Sequence, residues 1–217
     1  ADVADDFDQR YLHTRTQLHG LAEGLIAGPQ YRSTGTIRLV ALADGFAGAV
    51  SPLSVRGMRF DWTDGSAPLA GTPRALARAA GIDFAAPEGV YQEAGLLAAD
   101  ATLDVDAAAA DLITRSHHAG DQALRRLFPE QQPVLWPEHF DVAVTAGEVN
   151  YGVSAGDGFH VTPYAYVGPW QPRTGPFWNA PFGAAYPLER DRDDADLVRG
   201  IVEFFEQGSA ELEGQLP

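Results

Sequence analysis

Three residues in the middle of the chain have the types that proton transfer and metal binding use: His139, Asp141 and His160. His139 and Asp141 are two apart, so on a strand both side chains leave the same face. His160 falls in the next alternating stretch but one. If it faces the same side, two imidazoles and a carboxylate converge. Two histidines and one acid are a ligand set for zinc or non-haem iron. The same three could hold a histidine oriented by a carboxylate for general-base work. They could also do no more than satisfy one another. Register decides, because a slip of one residue sends His160 to the opposite face. A metal is not the favoured reading, no cofactor is implied, and zinc or iron enters only through this trio.

Other residues could complete a small-molecule site. Tyr164 and Tyr166 share a face with His160 and Thr162 and are candidate ligand contacts. Trp136, Trp170 and Trp178 flank or follow the same strands. Large aromatics build cores and also line ligand pockets, and Trp178 is the one taken as ligand-packing. His117 lies on or beside the inward stripe of a long helix, either as a hydrogen-bonded core histidine or as a pocket wall. His118 is turned about 100° away. His13 and His19 do not share a helix face cleanly and are not paired as ligands. His19 is a surface or boundary residue unless it looks into a pocket at the sheet.

Catalytic signatures are few. There is no GxGxxG opening a helix, no Walker A lysine, no HExxH and no calcium-loop spacing. Gly152-Val153-Ser154-Ala155-Gly156 matches GxSxG. That elbow exposes a serine where a strand turns into a helix. Here a Gly-rich turn and another alternating stretch follow, so we read hairpin glycines with a polar-face serine.

The elements that would position these residues are legible as blocks. Three short antiparallel strands are expected over residues 138–144, 149–154 and 159–166, with turns at Ala146-Gly147 and Gly156-Asp157-Gly158. Before them, residues 4–27 read as a helix ended by Gly28-Pro29. Residues 34–42 and 55–62 read as strands, and 45–50 as a loop or short strand. A helix capped by Thr72-Pro73 stops at Gly81. Residues 82–103 read as irregular, wrapping the core or covering a pocket. Residues 106–128 form the strongest helix, with Leu112, Ile113, Ala123 and Leu124 on its apolar side. Residues 183–186 are a candidate edge strand. A last helix starts at Asp193 or Asp194 and ends at Gly208, with a frayed tail from about residue 209.

Totals narrow the class. The chain has 217 residues, enough for one well-buried core, and residues 1–217 are read as one domain. Its formal charge of -15 argues against nucleic acid and anionic lipid as partners. It has no cysteine, which excludes disulfides and thiolate chemistry. No apolar run approaches the roughly 20 residues that cross a bilayer, so no membrane partner is expected. The acidic, polar start leads us to expect no signal peptide and a cytoplasmic protein. Aromatics at 172–186 could bury against a second copy, as in a homodimer.

The order of short motifs resembles an uncharacterised bacterial family common in actinobacteria, the DUF5996 proteins. The likeness rests on Leu12-His13 with Thr16-Gln17, Phe140-Asp141-Val142-Ala143 after a long helix, Tyr164-Ala165-Tyr166, Phe177-Trp178 with Tyr186, and Phe204-Phe205 in the closing helix. It implies an α+β domain and adds weight to the region around Asp141 and Tyr164. It carries no activity to transfer.

The expected fold is α+β, a mainly antiparallel sheet of five to seven strands with helices packed on one face. Two functions stay open: a small-molecule-binding protein or enzyme with a His/Asp/Tyr pocket on the sheet, and a non-catalytic structural or interaction domain.

Overall fold

The chain opens on a helix that changes pitch instead of ending. The computed structural model describes residues 3–92 and 95–214. In it α1 (Val3–Leu21) passes into a π-helical turn, Ala22–Ala27, and on into α2 (Gly28–Thr34). The sequence reading stops this helix at Gly28-Pro29. It continues because Pro29 sits in the first turn of α2, where its missing amide costs little. The wider π turn absorbs the change: the Gly28 amide donates to the Glu23 carbonyl. The true stop is Gly35, whose φ of 81° is left-handed and whose amide bonds the Tyr31 carbonyl at 2.9 Å.

Ten strands form one antiparallel sheet. They are β1 (Leu39–Leu42), β2 (Gly45–Gly48), β3 (Ser54–Arg56), β4 (Arg59–Trp62), β5 (Gly65–Pro68), β6 (Val134–Trp136), β7 (Asp141–Ala146), β8 (Val149–Ser154), β9 (Tyr164–Pro169) and β10 (Ala184–Pro187). The spatial order is β10-β9-β8-β7-β6-β1-β2-β3-β4-β5. Two five-strand meanders therefore meet through their first strands. The surplus over the expected number comes in part from a hairpin read as one strand. Residues 55–62 turn back at Gly57, φ 55°, so Val55 lies opposite Phe60 and both are buried on one face. β5 and β6 are too short to leave a periodic signal.

Helices cover one face of this sheet. After β5 come α3 (Pro73–Ala79), capped by the Thr72 hydroxyl, and an irregular strap. The strap lies against the first helix, with Leu97, Phe84 and Ala85 where Gly20, Gly24 and Gly28 leave room. Then α4 (Ala107–Leu127), capped by Asp106, lies on β1, β7 and β8, and α5 (Asp194–Glu213), capped by Asp193, lies on β9 and β10. Val142, Val144, Tyr151, Val153 and Val167 are buried beneath them. The approach is close: a side chain at Gly120 would collide with Val142 and Val153. Gly208 likewise sits inside α5 against Val167, a packing glycine and not the helix end. The helix runs on to Glu213, so the expected frayed tail does not begin at 209; residues 215–217 lie outside the description.

The aromatic stretch before β10 turns inward. Phe177 packs on Phe204 of α5 at 5.5 Å between ring centres, and Tyr186 stacks on the same ring at 5.4 Å. These two rings are used within the chain, while Phe182 of the same stretch stays exposed. Among the described residues, no helix is long and apolar enough to cross a membrane.

Candidate ligand-binding site

Register decides which side chains share the face opposite α4 and α5. Asp141, Ser154 and Tyr164 lie across from one another on β7, β8 and β9. Two residues along, Ala143, Gly152 and Tyr166 do the same. These positions face away from α4 and α5, because Val142, Val153 and Ala165 between them point toward those helices.

Gly152 makes room for Tyr166. A Cβ there would run into the Tyr166 phenol and the Val142 carbonyl. The phenol crosses the strand and donates its proton to Asp141 Oδ2. Asp141 Oδ1 is buried and has no hydrogen-bond partner among the described residues. Burial is the main influence on this carboxyl and pushes its pKa up, with Asp157 adding to the rise, against the Tyr166 hydroxyl, His139 and the residue's own backbone amide, which favour the charged form. Tyr166 is held above its ordinary value by burial and then by the Asp141 charge, so it stays a neutral donor.

A second tyrosine–aspartate pair stands beside the first. Tyr164 donates to Asp157 Oδ2 at 2.6 Å, and burial followed by that carboxylate raises its pKa. Asp157 also holds its own loop, its Oδ1 accepting from the Phe159 and His160 amides at 2.8 and 3.3 Å. Phe182 stacks over Tyr164 at 6.0 Å.

α1 supplies one wall. Tyr11, Arg15 and His19 are spaced by four and so share a helix face. The Tyr11 hydroxyl donates to the Ala155 carbonyl at 2.5 Å, and Arg15 Nη1 to the Val161 carbonyl at 2.5 Å. His19 Nε2 lies 2.7 Å from the Pro137 carbonyl and 3.1 Å from that of Glu138. Both are acceptors, so Nε2 carries the proton and Nδ1 the lone pair. Burial lowers the His19 pKa to about 4, which keeps the ring neutral. The ring stacks on Phe140 at 5.3 Å.

Together these groups enclose a cavity of about 780 Å³. Arg15 and His19 close one side, Asp141, Ser154, Tyr164 and Tyr166 form the floor, and Trp170 and Phe182 stand at the far end. Trp170 is 60% exposed and Phe182 37%, so both apolar rings meet solvent at the mouth.

The predicted site residues are placed unevenly. Asp141, Tyr164 and Tyr166 line the cavity together. His139 lines the cavity from its rim but not from a strand: β7 begins only at Asp141, because Phe140 adopts a φ of 53°. Its imidazole is largely exposed, with Glu138 at 3.7 Å. His160 is not in the cavity wall. β9 begins at Tyr164, and His160 sits in the loop before it with Nδ1 2.8 Å from the Thr162 carbonyl. The catalytic or metal trio His139, Asp141 and His160 is therefore not brought together. Among the described residues, no group of three or more histidines and carboxylates is placed to hold a metal. Trp178 is also away from the cavity, edge-on to Phe177 at 4.9 Å. His117 lies on the helix-covered side, 1% exposed, with Nε2 on the Phe140 carbonyl at 3.0 Å. It is a core histidine and not a pocket wall. Ser154 ends β8 and continues into a loop, its Oγ accepting from the Gly156 amide at 3.0 Å, with no imidazole bonded to it among the described residues. It has neither the turn into a helix nor the base that a nucleophile elbow needs.

The sequence reading misses Arg15, Asp157 and Phe182. Arg15 had a usable signal, the four-residue spacing from Tyr11 to His19. Asp157 was legible only as a turn residue. Compared with known proteins, the chain matches no family model, no curated protein and no solved structure.

Proposed function

We propose that the chain binds a small organic molecule in the cavity above Asp141. The observation that carries this is Asp141 Oδ1, a buried carboxylate oxygen without a hydrogen-bond partner among the described residues, on a residue that lines an open cavity. Leaving such a group unsatisfied costs about 1–3 kcal/mol. A ligand that supplies a donor recovers that cost. A purely structural cluster would be expected to close on itself, as the Tyr164–Asp157 pair does. The chemistry on offer is hydrogen-bond anchoring. For a substrate with an acidic proton, it extends to transfer onto a carboxyl whose pKa burial has raised. The net charge of -15 favours neutral and cationic molecules over polyanions.

Gly168 provides the test. It lines the cavity, and a Cβ there meets neighbours only at ordinary contact distances, so a larger residue can stand in the open space. A fragment set screened by thermal shift should give compounds that stabilise the wild type. Those same compounds should lose their effect in Gly168→Trp and in Asp141→Ala. Hits that stabilise both variants as well as the wild type bind elsewhere, and the proposal then fails.

A further inference from the structure

We infer that the molecule held over Asp141 is an organic cation rich in N–H donors, of the protonated amidine or guanidine kind. This rests on the cavity being the ligand site and adds the class of ligand. The argument is a count of hydrogen-bonding roles around the cavity. Tyr166 and Tyr164 each spend their only proton on a carboxylate, which leaves oxygen lone pairs. His19 spends its Nε2 proton on backbone carbonyls, which leaves Nδ1 as an acceptor. Asn150 Oδ1 already accepts from the Thr145 hydroxyl at 2.8 Å and the Trp170 indole at 3.4 Å, and its Nδ2 is a donor toward the outer part of the cavity. Asp141 Oδ1 accepts from nothing described. Glu138 and Asp157 add further carboxylate oxygens to the wall. Around Asp141 at the floor the open positions are therefore acceptors, and the complement there is a ligand that donates.

Charge selects among donors. Three carboxyl groups, Glu138, Asp141 and Asp157, face one guanidinium, Arg15, across this cavity. Arg15 is engaged within the protein: Nη1 donates to the Val161 carbonyl, and burial lowers its pKa while Tyr11 and then Asp157 favour its charged form. Asp141 is not matched: the titratable groups facing it are Tyr166 and Tyr164 from β9, Asp157 from the loop and His139 on its own turn. A neutral donor would fill the hydrogen bond and leave an ionised Asp141 without a counter-charge. A planar cation with paired N–H groups does both and can slide its apolar body toward Phe182 and Trp170.

Benzamidine and benzamide make the test, since they share a shape and differ in a charged NH₂ group against a carbonyl oxygen. Affinities measured by ligand-observed NMR at about pH 8, well above the ordinary carboxyl range, should favour benzamidine by about tenfold or more. The preference should shrink at about pH 5, closer to where carboxyl groups take up protons, because a protonated Asp141 no longer attracts a cation. Asp141→Asn should abolish the preference. Tyr166→Phe removes a donor that favours the ionised carboxylate, so the pH at which the preference sets in should move up. That variant keeps the inference testable if Asp141→Asn does not fold. No benzamidine binding at millimolar concentration, benzamide binding as well or better, or a preference that survives Asp141→Asn each overturn it. If Gly168→Trp still blocks the benzamide, the cavity remains the ligand site and only the cationic class falls.

Discussion

Phe140 is held between two neutral imidazoles. His19 stacks on one face of its ring and His117 meets it edge-on at 5.0 Å. Its φ of 53° is unusual for a bulky residue and sets the start of β7. Burial lowers both histidine pKa values to about 4, while an unfolded histidine titrates near about 6.5. Between those values the unfolded chain binds more protons than the folded one, so stability rises with pH across that window. Acidifying from about 6.5 toward about 4 should therefore lower the Tm. His117→Gln keeps an N–H donor for the Phe140 carbonyl and cannot titrate, so its Tm should depend less steeply on pH; an unchanged slope would count against a buried neutral His117. Asp141 works in the opposite sense. Its folded pKa is raised, so above the ordinary carboxyl value the unfolded chain gives up a proton that the folded chain retains, and stability falls as pH rises. Asp141→Asn should raise the Tm at neutral pH, with each kcal/mol gained worth about 2–4 °C at this chain length. A lower Tm would mean that the carboxylate stabilises the fold. A site that weakens its own fold is the pattern expected where a group is kept for binding.

Two glycines on the open face separate packing from vacancy. Gly152→Ala would set a methyl against the Tyr166 phenol and the backbone carbonyl of Val142. The carbonyl cannot retreat without breaking the β7–β8 ladder, so the phenol must leave Asp141. The expected cost is about 1–3 kcal/mol in urea unfolding. Gly168→Ala meets only ordinary contacts and should stay within about 0.5 kcal/mol of the wild type. Equal effects would refute the placement of Tyr166 over Gly152. Such spatial facts bound what the sequence could reveal. Alternation correctly put Asp141, Tyr164 and Tyr166 on one face, because each lies within a paired strand. It misplaced His139, because the backbone at Phe140 breaks the strand geometry one residue before Asp141. It misplaced His160, because Phe159, Val161 and Pro163 alternate in name only. Asp157 captures the Phe159 and His160 amides, and Pro163 has no amide to give, so no ladder forms before Tyr164. The helices were read best. Their caps at Thr72, Asp106 and Asp193 are local chemistry, whereas the α5 glycine at 208 answers to a residue on β9 that no local pattern names.

The sheet as a whole is protected at its margins and thinnest in its middle. Both edge strands are short and end in proline, Pro68 on β5 and Pro187 on β10, which discourages further strand addition. At the centre the two meanders are joined through β1 and β6 by a single paired position, Leu39 with Leu135. Both leucines are fully buried. One ladder position is a weak hinge for ten strands, so the coupling must come from the layer above it. α4 supplies that layer, lying on β1 of one half and on β7 and β8 of the other while packing against α1 and α5. If α4 makes the halves one cooperative unit, urea unfolding should show a single transition that coincides by circular dichroism and tryptophan fluorescence. The four tryptophans report on both halves, Trp62 on the first and Trp136, Trp170 and Trp178 on the second. Leu135→Ala should cost about 2–5 kcal/mol and shift both signals together, because the cavity it leaves lies under the shared helix. Two separated transitions, or a Leu135→Ala shift confined to one signal, would mean that the half-sheets fold independently and that α4 belongs to only one of them.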